Sequence, residues 1–179
     1  MPAAAPVQGD FLPAHDIGQV MAIALDQGHC IAIIASRDHR ERLELELYGR
    51  GVDLEEARHA RCYVWIDVEP VLAQVLKDGH PDVQQFRAAI GRLLSGLHPM
   101  AQRIEVFSEM VALLWERNEF EAARALDALW RAYVAASPVL LYCAHSAGVL
   151  EGADAFHAVC LDHCQKLHSS LLPRPRQGG

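Results

Sequence analysis

The feature that most constrains the fold is a set of four short, almost wholly apolar runs, at positions 30–35, 62–68, 104–107 and 139–143. A strand that is apolar nearly throughout is typical of a parallel sheet, because helices cover both of its faces. Segments with the apolar spacing of amphipathic helices separate the runs. We therefore expect an α/β fold, a three-layer sandwich with a mostly parallel central sheet.

The same patterns predict where the helices and the domain boundaries lie. Predicted helices cover residues 16–27, 38–48, 54–59, 69–76, 82–97, 109–117, 120–136 and 153–167. Ser36 and Asp82 are expected to cap the helices that follow them, and residues 77–81 are expected to form a loop. We expect a loose arm over residues 1–14, one domain over 15–168 and a disordered tail over 169–179.

Composition excludes several classes of function. The net charge of −7 and the scattered basic residues argue against nucleic-acid binding, which needs a basic face for the phosphates. No apolar run approaches the length of a membrane span, and the amino-terminal residues do not resemble a secretory signal. The odd number of cysteines, five, favours reduced thiols over a disulfide framework. We expect a cytoplasmic protein.

The loop after the first run, residues 36–40, is where a phosphate-binding loop would lie. It contains neither the Gly-x-x-x-x-Gly-Lys-[Ser/Thr] pattern nor Gly-x-Gly-x-x-Gly, so the backbone cannot wrap a phosphate in the usual way. This counts strongly against a working ATPase. Two interpretations stay open for Arg37, His39 and Arg40: they bind an anion at the helix N-terminus, or they form a solvated first helical turn.

Two carboxylates, Asp67 and Glu109, end two different strands of the predicted sheet. If those strands are neighbours, the pair could hold a metal or act as acid and base. The alternative is that one or both only cap the helix that follows. For Glu109 the choice is between lining a pocket and capping the helix that begins at Met110.

A group of cysteines and histidines near the carboxyl end offers a metal or thiol site. Cys160, His163 and Cys164 share one face of a predicted helix, and Cys143 and His145 could approach them from the fourth strand. The usual Cys-x-x-Cys pairs are missing, and cysteine is also an ordinary buried residue. A metal or thiol sensor is therefore kept as an alternative.

Several of these segments together resemble one family. The chain, from about residue 17 to 168, is similar to the MEDS domain, the methanogen/methylotroph, dichloromethane-regulator sensory domain of bacterial and archaeal signalling proteins. The similarity rests on residues 36–40, 51–53, 77–82, 86, 107–111, 114–115, 129–130, 141–144, 160 and 163. The chain departs from the family at Ser108, where glycine is usual, and it has no His-containing opening strand of the HVVQFY kind.

The resemblance implies a RecA/KaiC-like fold with a degenerate nucleotide site and a sensory role, detecting small molecules such as hydrocarbon derivatives. Family members usually sit beside a histidine kinase or a DNA-binding module, so a stand-alone module is expected to signal through a partner.

We accordingly predict a non-enzymatic signal-transduction module that binds a hydrocarbon derivative or a nucleotide-like molecule. The sequence does not identify a cofactor. The expected partner is a kinase or transcriptional regulator, without direct nucleic-acid or membrane contact, and a homo-oligomer is left open. The alternatives are a metal or thiol sensor and a residual nucleotide hydrolase that uses Asp67 and Glu109. The predicted ligand-binding residues are Ser36, Arg37, His39, Asp67, Glu109 and Cys143.

Overall fold

The computed structural model describes residues 14–99, 101 and 103–143. Its strands are β1 (Cys30–Ala35), β2 (Tyr63–Asp67), β3 (Leu76–Lys77), β4 (His80–Pro81), β5 (Ile104–Ser108) and β6 (Val139–Cys143). Its helices are α1 (Ala14–Asp26), α2 (Arg37–Gly49), α3 (Leu54–His59), α4 (Val68–Val75), α5 (Val83–Ser95), α6 (Met110–Glu116) and α7 (Phe120–Ala135).

Four of these strands form one parallel sheet in the order β2-β1-β5-β6. Strand β1 is central: Ile31 is aligned with Tyr63 on one side and with Glu105 on the other. The chain builds outward from β1 to β2, and then outward in the other direction through β5 and β6. The direction therefore reverses between β1 and β5, which makes this pair the topological switch point of a doubly wound, Rossmann-like sheet.

Helices cover both faces of the sheet, as the continuous apolar runs predict. All six residues of β1 are buried. Ile31 and Ile33 pack with residues of α1, α2 and α3, whereas Ala32 and Ile34 pack with residues of α4 to α7. Alternate side chains of one strand thus enter two separate cores. The predicted three-layer α/β sandwich with a parallel central sheet is confirmed.

The predicted bounds of the strands and helices agree closely with the structure except at one turn. The runs at 30–35 and 139–143 and the helix at 54–59 have the predicted bounds, and α1 begins two residues earlier than predicted. Residues 77–81 were expected to be a loop, but β3 and β4 pair there in a short antiparallel hairpin. Asp78 and Gly79 form its turn with φ of 52° and 78°, which suits the Asp-Gly pair that tight hairpins favour.

Both predicted helix caps are present. The Ser36 hydroxyl accepts a hydrogen bond from the His39 backbone N–H at 3.4 Å, and Asp82 accepts from Gln84 and Gln85 at 2.9 Å. The predicted helix at 153–167 and the tail lie outside the described residues, as do residues 1–13 of the arm predicted over 1–14, while Ala14 is the first residue of α1. No helix in the described part of the chain is long and apolar enough to cross a membrane.

Candidate functional site

The switch point brings together the segments that follow β1 and β5. Ser36 follows β1 and begins α2, while Glu109 follows β5 and precedes α6. The backbone N–H of Glu109 donates to the carbonyl oxygen of Ile34 at 3.0 Å, so the β1–β5 ladder continues up to this residue. Open α/β sheets bind ligands in this crevice, at the carboxyl ends of their strands.

The Glu109 carboxylate occupies this crevice and is only 2% exposed. Its Oε2 accepts a hydrogen bond from the Ser36 backbone N–H at 2.9 Å, and its Oε1 lies 2.6 Å from Nδ1 of His39. The N-terminus of a helix attracts anions because its N–H groups point outward and carry partial positive charge. Here the anion at the N-terminus of α2 is supplied by the protein itself.

The interpretation that Glu109 caps α6 is wrong. Its side chain makes no capping hydrogen bond to α6, and the Met110 N–H donates to the Ser108 hydroxyl instead, at 3.3 Å. The physical reason lies in the backbone of Glu109, whose φ of −96° and ψ of 0° differ from the extended conformation of a capping residue. The side chain is therefore available to bridge to α2.

Asp67 does not face Glu109 across the crevice. Strand β1 lies between β2 and β5, so two strand spacings, about 10 Å, separate the ends of their strands. Asp67 is aligned with Ala35 and accepts a hydrogen bond from the Glu69 N–H at 3.0 Å. It is therefore the N-cap of α4, as the simpler interpretation held, and the proposed carboxylate pair is not formed.

The other predicted ligand-binding residues are distributed around the crevice. Arg37 is exposed on the first turn of α2. Cys143 is buried in β6, where it is aligned with Ser108 of β5. The structure thus brings three of the six predicted residues into contact: Ser36, His39 and Glu109. Cys160, His163 and Cys164 lie outside the described residues.

One side chain beside the crevice, Trp65, was missed by the sequence analysis. The indole N–H of Trp65, on β2, donates to the carbonyl oxygen of Ala35 at 3.1 Å, directly before Ser36. The guanidinium of Arg40 lies over the Trp65 ring, 4.4 Å from its centre. The Trp65 ring and the Arg40 guanidinium thus lie on the β2 side of β1, whereas Glu109 lies on its β5 side.

A second buried carboxylate, Glu105, was also missed. It is 5% exposed and lies within β5, four positions before Glu109. The Tyr142 hydroxyl donates to its Oε2 at 2.9 Å, and Nδ1 of His29 lies 2.9 Å from its Oε1. The sequence did contain a signal for Glu105, since it is an acidic residue inside an apolar strand run. Such a charge requires buried partners.

The two carboxylates affect the titration of neighbouring groups. Burial, together with the charge and hydrogen bonding of Glu105, raises the pKa of Tyr142. Partial burial and the charge of Glu109 raise the pKa of Glu116, at the end of α6, and His39 acts in the opposite direction. The charge of Glu109 therefore influences groups along the α2–α6 side of the crevice.

A cavity of about 700 Å³ lies elsewhere, beside the amino ends of β1 and β2. It is lined by the end of α1, the α2–α3 connection and α3, and by Cys62. None of the six predicted ligand-binding residues lines it. Within residues 14–99, 101 and 103–143, no three His, Cys, Asp or Glu side chains are grouped so as to hold a metal ion.

Comparisons with known proteins leave the family open. No protein-family model matches the chain, and neither curated proteins nor solved structures give a match. The interpretation of the site therefore rests on its own geometry.

Proposed function

We propose that this protein is a non-enzymatic, cytoplasmic signal-transduction module that binds a small molecule at the switch-point crevice and signals through a partner protein. The observation that carries the proposal is the Glu109 bridge between the start of α6 and the N-terminus of α2. A ligand that enters the crevice must compete with this bridge. Binding would then change how α2 and α6 are held together, which is the differential contact that a switch requires.

The charge of the crevice favours a neutral ligand. The N-terminus of α2 already holds a carboxylate, and a phosphate placed there would meet the like charge of Glu109. The residues after β1 also lack the glycine-rich pattern that cradles phosphate. Both points support a hydrocarbon derivative, for which Trp65 offers an apolar contact, over a nucleotide-like ligand.

The resemblance to the MEDS family supports the same class of function. It is the reason for proposing a histidine kinase or a transcriptional regulator as the partner. The alternative hydrolase needs two carboxylates at one point, and Asp67 is instead engaged as the cap of α4. A sensory module is therefore the function that the site supports best.

A ligand screen on the whole chain tests the proposal. Thermal unfolding is measured with dichloromethane, with toluene and with ATP plus Mg²⁺. We expect a neutral organic compound to raise Tm, and its affinity to change at least about tenfold in Glu109→Gln, because the competing bridge is altered. The matched control is Asp67→Asn, a strand-end carboxylate two strands away, which should leave the affinity unchanged.

Two results would contradict the proposal. One is stabilisation by ATP alone, accompanied by phosphate release that disappears in Glu109→Gln, which would support the hydrolase. The other is a stoichiometric metal in the purified protein, measured by elemental analysis, which would support the metal sensor at Cys143, Cys160, His163 and Cys164.

A further inference from the structure

Two cysteines far apart in sequence lie opposite each other where β1 and β2 begin. Ile31 and Tyr63 are register partners in these parallel strands, so Cys30 and Cys62, one position earlier, face each other. The Ile31 N–H donates to the carbonyl oxygen of Cys62 at 2.8 Å, which fixes this alignment. Neighbouring strands are about 4.8 Å apart, within the Cα separation that disulfides span.

Both side chains also lie on the same face of the sheet. Cys30 belongs to the core formed with α4 to α7, and Cys62 packs against that core. Each also contacts a backbone oxygen nearby, Cys30 that of Arg61 and Cys62 that of Ala60, both at 3.7 Å. The pair is therefore a preformed dithiol, with no disulfide between its members in this structure.

The two thiols differ in access. Cys30 is completely buried, whereas Cys62 is half-buried. Burial and the contact with Cys62 raise the pKa of the Cys30 thiol to about 11. An external reagent can therefore reach Cys62 first, and Cys30 is placed to react with whatever forms on Cys62.

We propose that Cys30 and Cys62 are a redox-active pair, oxidised to a disulfide by a small-molecule disulfide that reaches the half-buried thiol of Cys62. The Cys62 thiolate attacks one sulfur of the reagent, forming a mixed disulfide and releasing the first small thiol. The Cys30 thiolate then attacks Sγ of Cys62, which forms the Cys30–Cys62 bond and releases the second small thiol. The two cysteines lose two protons and two electrons, and the reagent is reduced to two thiols.

Peptide mapping of the full chain provides the test. Trypsin separates Cys30 in residues 1–37 and Cys62 in residues 62–77 from Cys143, Cys160 and Cys164, which share residues 132–166. Reduced protein is incubated with cystamine or glutathione disulfide, alkylated and digested, and the linked peptides are followed by mass spectrometry. We expect a link between 1–37 and 62–77 with either reagent, because the first attack needs only the half-buried thiol of Cys62.

Three variants assign the order of the steps. Cys30→Ser should accumulate the mixed disulfide on peptide 62–77, because the second step is blocked. Cys62→Ser should leave Cys30 unmodified, and the control Cys143→Ser should react like the natural chain. The proposal is overturned if native protein gives no link between 1–37 and 62–77, or if Cys30 is modified equally fast in Cys62→Ser. The mapping of unmutated protein decides the matter even if a variant does not fold.

Discussion

Two buried carboxylates lie four positions apart at β5 and have different partners. Glu105, inside the strand, is 5% exposed, and Glu109, just after it, is 2% exposed. Each is close to a histidine, His29 for Glu105 and His39 for Glu109. Burial and the contact with a histidine are thus nearly the same at the two positions.

The two carboxylates differ in their other hydrogen-bond donor. Glu105 receives the Tyr142 hydroxyl, so it joins side chains from β5, β6 and the start of β1 within the sheet. Glu109 receives the Ser36 backbone N–H at the N-terminus of α2, in the crevice where sheets of this kind bind ligands. A buried charge within a sheet fixes packing, whereas one at a switch point can be displaced by a ligand. The position in the topology, not the burial, distinguishes the two carboxylates.

Removal of the Glu109 side chain should give the largest change in stability. Glu109→Ala leaves the Ser36 N–H and the His39 ring without this acceptor, and it should lower the unfolding free energy by about 3 kcal/mol. Urea unfolding at neutral pH measures the change. The control Asp67→Ala removes only a helix cap and should cost about 1 kcal/mol. Equal losses in the two variants would mean that Glu109 is no more than another cap.

Removal of the Glu105 side chain should have a smaller effect. Glu105→Ala deprives Tyr142 and His29 of their acceptor and should cost about 2 kcal/mol by the same measurement. Tyr142→Phe removes one of the two contacts and should cost about 1 kcal/mol. Neither variant should alter ligand affinity at the crevice. A change in affinity with Glu105→Ala would remove the distinction between the two carboxylates.

Alkaline pH should lower stability through two buried tyrosines, Tyr142 beside Glu105 and Tyr63 beside Glu44. Burial, with the charge of a nearby glutamate, raises the pKa of both Tyr142 and Tyr63 above 10.0. Above about pH 10 the unfolded tyrosines release protons that the folded ones retain, so stability is complete below that pH and falls as pH rises. Each tyrosine contributes a slope of up to about 1.4 kcal/mol per pH unit.

The pH dependence can be checked with single variants. Urea unfolding between pH 8 and 11 should show a shallower decline in Tyr142→Phe than in the natural chain. The control Tyr48→Phe changes a residue that is 48% exposed and should leave the slope unaltered. An unchanged slope in Tyr142→Phe would show that the tyrosine is not held by Glu105.

Local structure was predictable where it depends on residues that are close together in the sequence. The run at 30–35 is apolar at every position, and only a strand covered on both faces satisfies such a pattern. Ser36 and Asp82 cap helices through hydrogen bonds to residues two or three positions away, so their roles also lie within the sequence. The β3–β4 hairpin carried an Asp-Gly signal, but its strands of two residues are too short for any periodicity to mark.

Contacts between distant residues depended on the order of the strands, which periodicity does not specify. The placement of β1 between β2 and β5 separated Asp67 from Glu109 and brought Glu109 to Ser36, 73 positions away. The same arrangement placed Glu105 beside His29, 76 positions away. The sequence by itself determined which segments are strands and helices and which of their ends carry charge, because those properties follow from neighbouring residues. Only the tertiary structure decided which charges meet, because strands with equally apolar faces can pair in several orders.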